Sequence, residues 1–269
     1  MIAAMLERFT RLPIALQETA RWELLGSSRI PTMLVHPDWD RANRVPVVIW
    51  MHGRTARKEL DPGRYLRLMR SGIGVCAVDL PGHGERYDET LQQPGNTLDV
   101  ILRMVDEIDQ ILDELRRMEP FDQRWMGIGG MSAGGMATLA RLCRDHPFRC
   151  ASVEAATGSW QHQRHREMFR GRSDREIRRM DPVRQLDTWR PIPLQAIHSR
   201  LDEWVSFEGQ AEFIAELRRR YLQPELIEFI TYDRTGAPAE HAGFGSKTAD
   251  ARDRQRKFFA HHLAVKANG

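Results

Sequence analysis

Cysteine and lysine are both scarce in this chain. Of its 269 residues three are cysteines, and of its 40 basic residues only four are lysines. The cysteines, Cys76, Cys143 and Cys150, are odd in number, and none has the C-x-x-C spacing of a zinc or redox site. A disulfide framework is therefore not expected. We expect a reducing, cytoplasmic location instead.

Long hydrophobic runs are absent as well. A membrane-spanning helix needs about 18 consecutive apolar residues, and no stretch of the sequence comes near that length. The apolar stretch at the N-terminus is interrupted by Glu7, Arg8 and Arg11, so it lacks the uninterrupted apolar core of a secretory signal. We expect neither a secretory signal nor a membrane partner.

An excess of charge of one sign is also missing, because 40 basic residues face 37 acidic ones and the net charge is only +3. The arginines are spread along the chain and mixed with acids, whereas a nucleic-acid binder more often clusters them on one stripe. No nucleic-acid partner is expected. A content of 41% hydrophobic and 29% charged residues excludes a disordered chain and allows one large domain with a substantial core.

Short apolar runs alternate with helical patterns. The runs are short and often β-branched, as in strands buried on both faces of a parallel sheet: 45–51, 73–80, 124–130, 150–155, 193–198 and 226–232. Helical spacing occurs between them: 61–70, 97–118, 134–145, 207–221 and 248–263. Residues 22–25 and 31–35 flank a small-residue turn and predict a hairpin, and a looser helical pattern before it breaks at Pro13.

This order predicts an α/β protein with a mostly parallel, doubly wound sheet and an N-terminal antiparallel hairpin. We expect one domain over residues 1–269. The alternation of strands and helices is interrupted at about 158–190. This segment is too long for an ordinary connection between a strand and a helix, so it predicts a short helical cap insertion.

The motif Gly130-Met131-Ser132-Ala133-Gly134 fits G-x-S-x-G, with a predicted strand before it and a helix after it. In that context the serine lies on a strained turn whose glycines avoid collisions with neighbouring backbone. The turn places the Ser132 hydroxyl at the positive end of a helix. Ser132 is therefore the predicted nucleophile, which needs a base within reach and a carboxylate to orient that base.

From Val45 onward the sequence resembles the α/β-hydrolase superfamily, and within it small bacterial serine carboxylesterases related to dienelactone-hydrolase-like and prolyl-oligopeptidase-like catalytic domains. A second motif, DLPGHGER over residues 79–86, is similar to a marker that follows the second parallel strand in many of these hydrolases. The resemblance implies the α/β-hydrolase fold, no cofactor, and a triad in the order Ser, Asp or Glu, His.

The resemblance also implies the two partners of Ser132. PLQAIHSRLDEWV, residues 193–205, is similar to a strand followed by H-G-x-x-D-x-x-V, which makes Asp202 the acid candidate and Glu203 the alternative. Three histidines follow Asp202, and two of them fall at the end of the last predicted helix. Chain position therefore selects His241, in a small-residue loop after a predicted strand.

Two backbone N–H groups are expected to hold the oxyanion that forms in the transition state. One belongs to Ala133, the residue after the nucleophile. The other is implied by the resemblance of Met51-His52-Gly53-Arg54 to the family's H-G-x loop and belongs to Arg54. His52 and His83 do not predict a metal site, because no carboxylate or cysteine pattern completes one.

The cap segment is rich in arginine: between Trp160 and Arg190 there are nine arginines and five acids. A solvated cap with scattered ion pairs is one interpretation, and a positive rim that favours anionic acyl substrates is the other.

Together these features predict a serine hydrolase that cleaves carboxylic esters, with a small-molecule ester as its substrate. A peptidase, amidase or thioesterase on the same fold is an alternative. A binding protein without catalysis is a further one, although it would not need all three triad residues. The oligomeric state and the acyl preference are left open.

Overall fold

A computed structural model describes residues 12–40 and 43–263. The described residues contain one sheet of eight strands, in the order β1-β2-β4-β3-β5-β6-β7-β8. The strands are β1 Ala20–Leu25, β2 Ile30–Val35, β3 Val45–Met51, β4 Gly74–Val78, β5 Phe121–Met131, β6 Cys150–Glu154, β7 Leu194–Ser199 and β8 Ile227–Tyr232. Strand β2 is antiparallel to both neighbours, and the pairs from β4 to β8 are parallel. The predicted fold class is confirmed.

Seven α-helices accompany the sheet in the described part of the chain: α1 Ile14–Thr19, α2 Pro62–Arg70, α3 Thr97–Arg117, α4 Ala133–Leu142, α5 Asp174–Met180, α6 Phe207–Arg218 and α7 Thr248–His262. Helix α2 begins as its sequence predicts, because the Asp61 side chain accepts from the Arg64 N–H and Pro62 occupies the first turn. The helical pattern expected before Pro13 lies largely outside the described residues.

Strand β3 shows why the sheet needs helices on both faces. Its side chains alternate, so Val47, Ile49 and Met51 pack into one hydrophobic cluster with α3, α4 and α6. Val48 and Trp50 pack into a second cluster with α2 and α7. The continuous apolar run of β3 is thereby buried on both sides, as its sequence predicts.

The cap insertion is built mostly from single 3-10 turns, with α5 as its one α-helix in the described chain. Ser173 and Glu176 form a capping box that starts α5. Trp160, Phe169 and Ile177 are buried in the larger core cluster. The cap is thus anchored by apolar side chains.

Three boundaries differ from the sequence prediction by three residues, one of them the end of α6 at Arg218. Strand β5 starts at Phe121, before the predicted start at residue 124, because Phe121 pairs with Val45. A register irregularity separates this pair from the rest of the strand, and the periodicity of the sequence does not reveal it. Helix α4 ends at Leu142, three residues before the predicted end. Among the described helices, none combines the length and apolarity needed to cross a bilayer.

Candidate active site

Ser132 lies on the sharp turn between β5 and α4, with φ 51° and ψ −117°. A non-glycine residue at positive φ stores backbone strain and persists only where its surroundings hold it. Here the Ser132 N–H donates to the Glu154 carbonyl oxygen at 2.8 Å. A Cβ on Gly130 would lie 2.5 Å from the Gly134 carbonyl carbon, so the turn can close only with glycine there.

The structure brings Ser132, His241 and Asp202 together. His241 Nε2 lies 2.9 Å from Ser132 Oγ, and His241 Nδ1 lies 2.8 Å from Asp202 Oδ2 and 3.0 Å from Oδ1. Because the carboxylate can only accept, Nδ1 carries the proton and Nε2 is left to accept from the serine hydroxyl. His241 is 3% exposed, so this hydrogen-bond chain is shielded from bulk water.

Asp202 sits in the loop after β7, surrounded by donors. Its Oδ1 accepts from the Trp204 and Val205 N–H groups at 2.9 and 2.8 Å. His198 Nε2 lies 3.3 Å from Oδ2. Burial acts to raise the pKa of Asp202, but the hydrogen bonds from His198 and His241 outweigh it and lower that pKa to about 2. The carboxylate therefore stays charged at neutral pH.

Of the two acid candidates, Asp202 contacts His241, whereas Glu203 is exposed and its N–H donates to the Ala239 carbonyl. The contact of His198 with Asp202 was not predicted. Its only sequence signal was the histidine four residues before the acid in the hydrolase-like motif.

The loop that carries His241 is held by the neighbouring Glu240 carboxylate. Glu240 accepts from Ser199 Oγ at 2.9 Å, from Thr235 N and Oγ1 at 2.7 and 2.8 Å, and from Gly236 N at 2.8 Å. Burial opposes the charge, yet these bonds lower the pKa of Glu240 to about 2. These hydrogen bonds to Glu240 hold residues 239 and 240 at positive φ. They thereby fix the backbone immediately before His241.

The loop after β3 lies against the nucleophile, since a Cβ on Gly53 would be 3.3 Å from Ser132 Cβ. His52 accepts from the Leu80 N–H through Nε2 at 3.1 Å, so its Nδ1–H donates to the Gly53 carbonyl at 2.6 Å. The Gly53 carbonyl and the Arg54 N–H belong to the same trans peptide, so they point in opposite directions. The Arg54 N–H therefore points away from His52. The Ala133 N–H begins α4, where the first N–H groups lack intrahelical acceptors.

A buried charge network supports this loop. Lys58 is 1% exposed, and its ammonium lies 2.9 Å from Asp79 and 3.2 Å from Glu59 and also bonds Glu85. Burial acts to raise the pKa of Asp79, but the Lys58 ammonium and the Glu85 N–H, which donates to Asp79 at 3.0 Å, leave it well below its usual range. The burial of Lys58 was not predicted, because no local pattern distinguishes it from a surface lysine.

A cavity of about 680 Å³ opens beside the nucleophile. Trp204 flanks it, with its ring centroid 5.0 Å from that of His241. The cap forms part of its wall through Gln163, Arg166, Glu167 and Met168. Much of the remaining wall is apolar or backbone: Gly53, Ala56, Pro94, Met131, Ala133, Met136, Val205, Ala242 and Gly243.

Metal-binding arrangements of three or more His, Cys, Asp or Glu side chains are not found in the described chain. His52 and His83 instead have ring nitrogens within hydrogen-bond distance of the Gly53 and Pro81 carbonyl oxygens, at 2.6 and 2.9 Å.

The fold, the elbow and the Ser-His-Asp arrangement have the form of an α/β-hydrolase of the serine-hydrolase type. Residues 64–266 match the prolyl oligopeptidase family. The chain belongs to this family.

Two curated relatives are described as esterases. “Putative esterase YitV” of Bacillus subtilis is 29% identical over 117 residues, 43% of this chain and 46% of the relative. Esterase YjfP of Escherichia coli is 23% identical over 135 residues, 48% of this chain and 52% of the relative. The aligned region thus spans about half the length of each relative.

Solved structures share the fold at low identity. A puromycin-hydrolyzing peptidase from Mycobacterium tuberculosis superposes with a TM-score of 0.73 and 19% identity, covering 96% of this chain and 42% of that one. The Pyrococcus furiosus esterase Pf2001 superposes with a TM-score of 0.65 and 17% identity, covering 93% and 95%. At such identity the likeness shows the fold alone.

Proposed function

We propose that this protein is a serine hydrolase that cleaves carboxylic esters of small molecules through an acyl-enzyme. The observation that carries the proposal is the unbroken hydrogen-bond chain from Ser132 Oγ to His241 at 2.9 Å and from His241 to Asp202 at 2.8 Å. Three residues far apart in sequence meet in the relation that nucleophilic catalysis requires.

In the proposed reaction, Ser132 Oγ attacks the ester carbonyl carbon while His241 Nε2 takes the hydroxyl proton. The Ala133 and Arg54 N–H groups stabilise the negative charge on the former carbonyl oxygen. His241 then protonates the leaving alkoxide, and the acyl group remains on Ser132. Water attacks that acyl-enzyme with the same base, which releases the carboxylic acid and restores the serine.

Asp202 keeps the His241 proton on Nδ1 and stabilises the imidazolium that forms during each transfer. Its low pKa supports this role, because a carboxylate that stays ionised accepts from Nδ1–H throughout the cycle. The reaction so written uses no cofactor, and its partner is the ester itself.

Cleavage of peptides or other amides is the second candidate, favoured by the match to the prolyl oligopeptidase family. The ester proposal is supported by the names of the two curated relatives and by the mainly apolar cavity wall. The same machinery would serve a thioester, and a binding protein would retain the fold without turnover.

A fluorophosphonate probe followed by peptide mapping tests the nucleophile without a choice of substrate. We expect a single adduct on Ser132 in the wild type and none in Ser132→Ala. Turnover of matched p-nitrophenyl esters, thioesters and aminoacyl amides then ranks the reactions. Faster amide than ester cleavage would favour the peptidase, and no adduct with no turnover would favour the binding protein.

A further inference from the structure

We infer that the cavity contains an anion subsite formed by Arg54 and Arg166, which selects esters whose acyl chain bears a carboxylate. This inference rests on the proposed ester hydrolysis and names its substrate class. It starts from the two arginines in the cavity wall, neither of which has a carboxylate within 4.0 Å among the described residues.

Arg54 is fixed by neutral groups. Its Nη1 donates to Thr97 Oγ1 at 2.7 Å, and its Nη2 donates to the Gln92 carbonyl oxygen. These acceptors hold the guanidinium in place without cancelling its charge. Burial lowers the pKa of Arg54, and no acidic neighbour offsets that effect. A half-buried cation with no counter-ion gains from an anionic ligand because charge-assisted hydrogen bonds replace missing hydration.

Arg166 has the same character in the cap. Its Nη2 donates to the Glu203 carbonyl oxygen, again a neutral acceptor. Other cap arginines have carboxylate partners: Arg164 with Asp174 at 2.9 Å, Arg170 with Glu167 at 3.5 Å and Arg172 with Asp99 at 2.9 Å. Arg175, Arg179, Arg184 and Arg190 also lack a carboxylate within 4.0 Å among the described residues, but Arg166 is the cap arginine that lines the cavity.

The balance of charge indicates the kind of anion. Glu167, the acid in the wall, already has Arg170 as its partner at 3.5 Å, so the positive charges of Arg54 and Arg166 are left for an anionic group such as a carboxylate. Gln163, in the same wall, is 2% exposed and has no hydrogen-bond partner for either amide atom in the described chain. Its amide N–H is an additional donor that a carboxylate could satisfy.

Two nearly isosteric substrates separate charge from shape: the p-nitrophenyl monoester of adipic acid, and the same ester with its free carboxylate converted to a primary amide. The measured quantity is the ratio of their kcat/KM values, corrected for the rate with Ser132→Ala. Any change of the oxyanion loop or of folding that affects both esters alike cancels in this ratio.

We expect the wild type to prefer the carboxylate ester by about 10-fold or more, and Arg166→Gln and Arg54→Gln each to lower the ratio by about 10-fold. Arg164→Gln is the matched control: its side chain is 60% exposed and pairs with Asp174 outside the cavity wall, and the ratio should change less than about twofold. A wild-type ratio of one or below, or no change in either variant, overturns the subsite while leaving ester hydrolysis intact.

If neither ester is turned over, the proposed function fails separately and binding decides the subsite. Calorimetric titration with adipate and with its diamide measures that binding without catalysis. We expect adipate to bind the wild type more tightly than the diamide, and Arg166→Gln to lose that preference. Equal binding of the two compounds overturns the inference.

Discussion

A Cβ atom on Gly134 would lie 2.5 Å from the carbonyl oxygen of Met51, so helix α4 meets the end of β3 at a distance that only glycine allows. A Cβ on Gly130 would lie 2.8 Å from the same oxygen. The two glycines of the G-x-S-x-G motif thus converge on one backbone atom of the neighbouring strand. This contact sets how closely Ser132 approaches the loop that begins after Met51.

Gly134→Ala should therefore damage both folding and activity. The clash is with backbone oxygens, which cannot move without displacing β3, and overpacking of this kind costs about 1–3 kcal/mol or more of unfolding free energy. Urea unfolding followed by fluorescence measures the loss. Gly95→Ala is the control, because the nearest atom to its added Cβ lies 3.9 Å away. Equal stability of the two variants would contradict the packing argument.

Ser132→Ala should abolish turnover while the protein stays folded. We expect kcat/KM for p-nitrophenyl acetate to fall by at least ~10³, because only the oxyanion donors and substrate binding remain. Ser27→Ala, at an exposed serine of the β1–β2 turn, is the control and should keep wild-type activity. Unchanged turnover in purified Ser132→Ala would remove this serine from the mechanism.

Asp202→Asn should lower kcat by about 10³ to 10⁴. Two backbone N–H groups bind Oδ1, so the amide oxygen of asparagine is expected to stay there and its NH₂ group to face His241. The histidine then accepts at Nδ1 and carries its proton on Nε2, where it cannot take the serine proton. Steady-state kinetics on an aryl ester measure the effect.

Glu203→Gln is the matched control for that variant, since it removes the neighbouring acid from an exposed side chain. Its activity should stay within about twofold of wild type. The reverse pattern, a large loss with Glu203→Gln and none with Asp202→Asn, would show that the acid had been assigned one position too early.

The fold and the three residues Ser132, His241 and Asp202 could be predicted because both depend on local sequence patterns. Apolar runs defined the strands, and the elbow motif defined where β5 turns into α4. Asp202 and His241 followed from chain order in the hydrolase-like motifs, and the structure brings both to Ser132. Their catalytic roles remain a prediction that the variants above test.

The buried polar contacts could not be predicted, because they join residues distant in sequence. Lys58 reaches Asp79 across 21 positions, and Arg64 reaches Glu154 across 90 positions. Periodicity records which face of an element is apolar, but not which charged side chain finds a partner beneath a loop. The lack of a counter-ion at Arg54 could not be predicted from the sequence either, because it depends on which acidic side chains the fold brings near.

Stability should decline as the pH falls from about 6.5 to about 4, partly through His146. Burial, together with the charges of Arg190 and Arg141, lowers the pKa of His146 to about 4. In this window the unfolded chain takes up a proton that the folded chain refuses, so protonation favours unfolding. Each pKa unit corresponds to about 1.4 kcal/mol, which gives an effect of up to about 3 kcal/mol.

His146→Asn should flatten that decline, because its amide oxygen can replace Nδ1 as acceptor for Arg190 without titrating. Urea unfolding at several pH values gives the difference between variant and wild type. His165→Asn, at an exposed histidine, is the control. Parallel curves for His146→Asn and wild type would show that another group causes the decline.

Salt dependence separates direct contact from long-range attraction by the cap. Attraction by a positive rim extends over about one Debye length, roughly 10 Å at 0.1 M salt and ~3 Å at 1 M. Because Arg164 and Arg178 both lie near Asp174 and outside the cavity wall, we expect Arg164→Gln combined with Arg178→Gln to leave the salt curve for the adipate monoester unchanged. Arg166→Gln should instead lower kcat/KM for that ester at both salt concentrations, because a partly buried contact is screened less than an exposed one.

The neutral amide ester supplies the baseline, and its kcat/KM should vary little with salt in every variant. If the double variant removes the salt dependence of the charged ester, the arginines act as a diffuse rim. A double variant that leaves kcat/KM of the charged ester unchanged, together with an Arg166→Gln variant that lowers it at both salt concentrations, would instead locate the responsible charge in the cavity wall. The two interpretations of the arginine-rich cap are thereby distinguished by whether the exposed arginines or Arg166 control turnover of the charged ester.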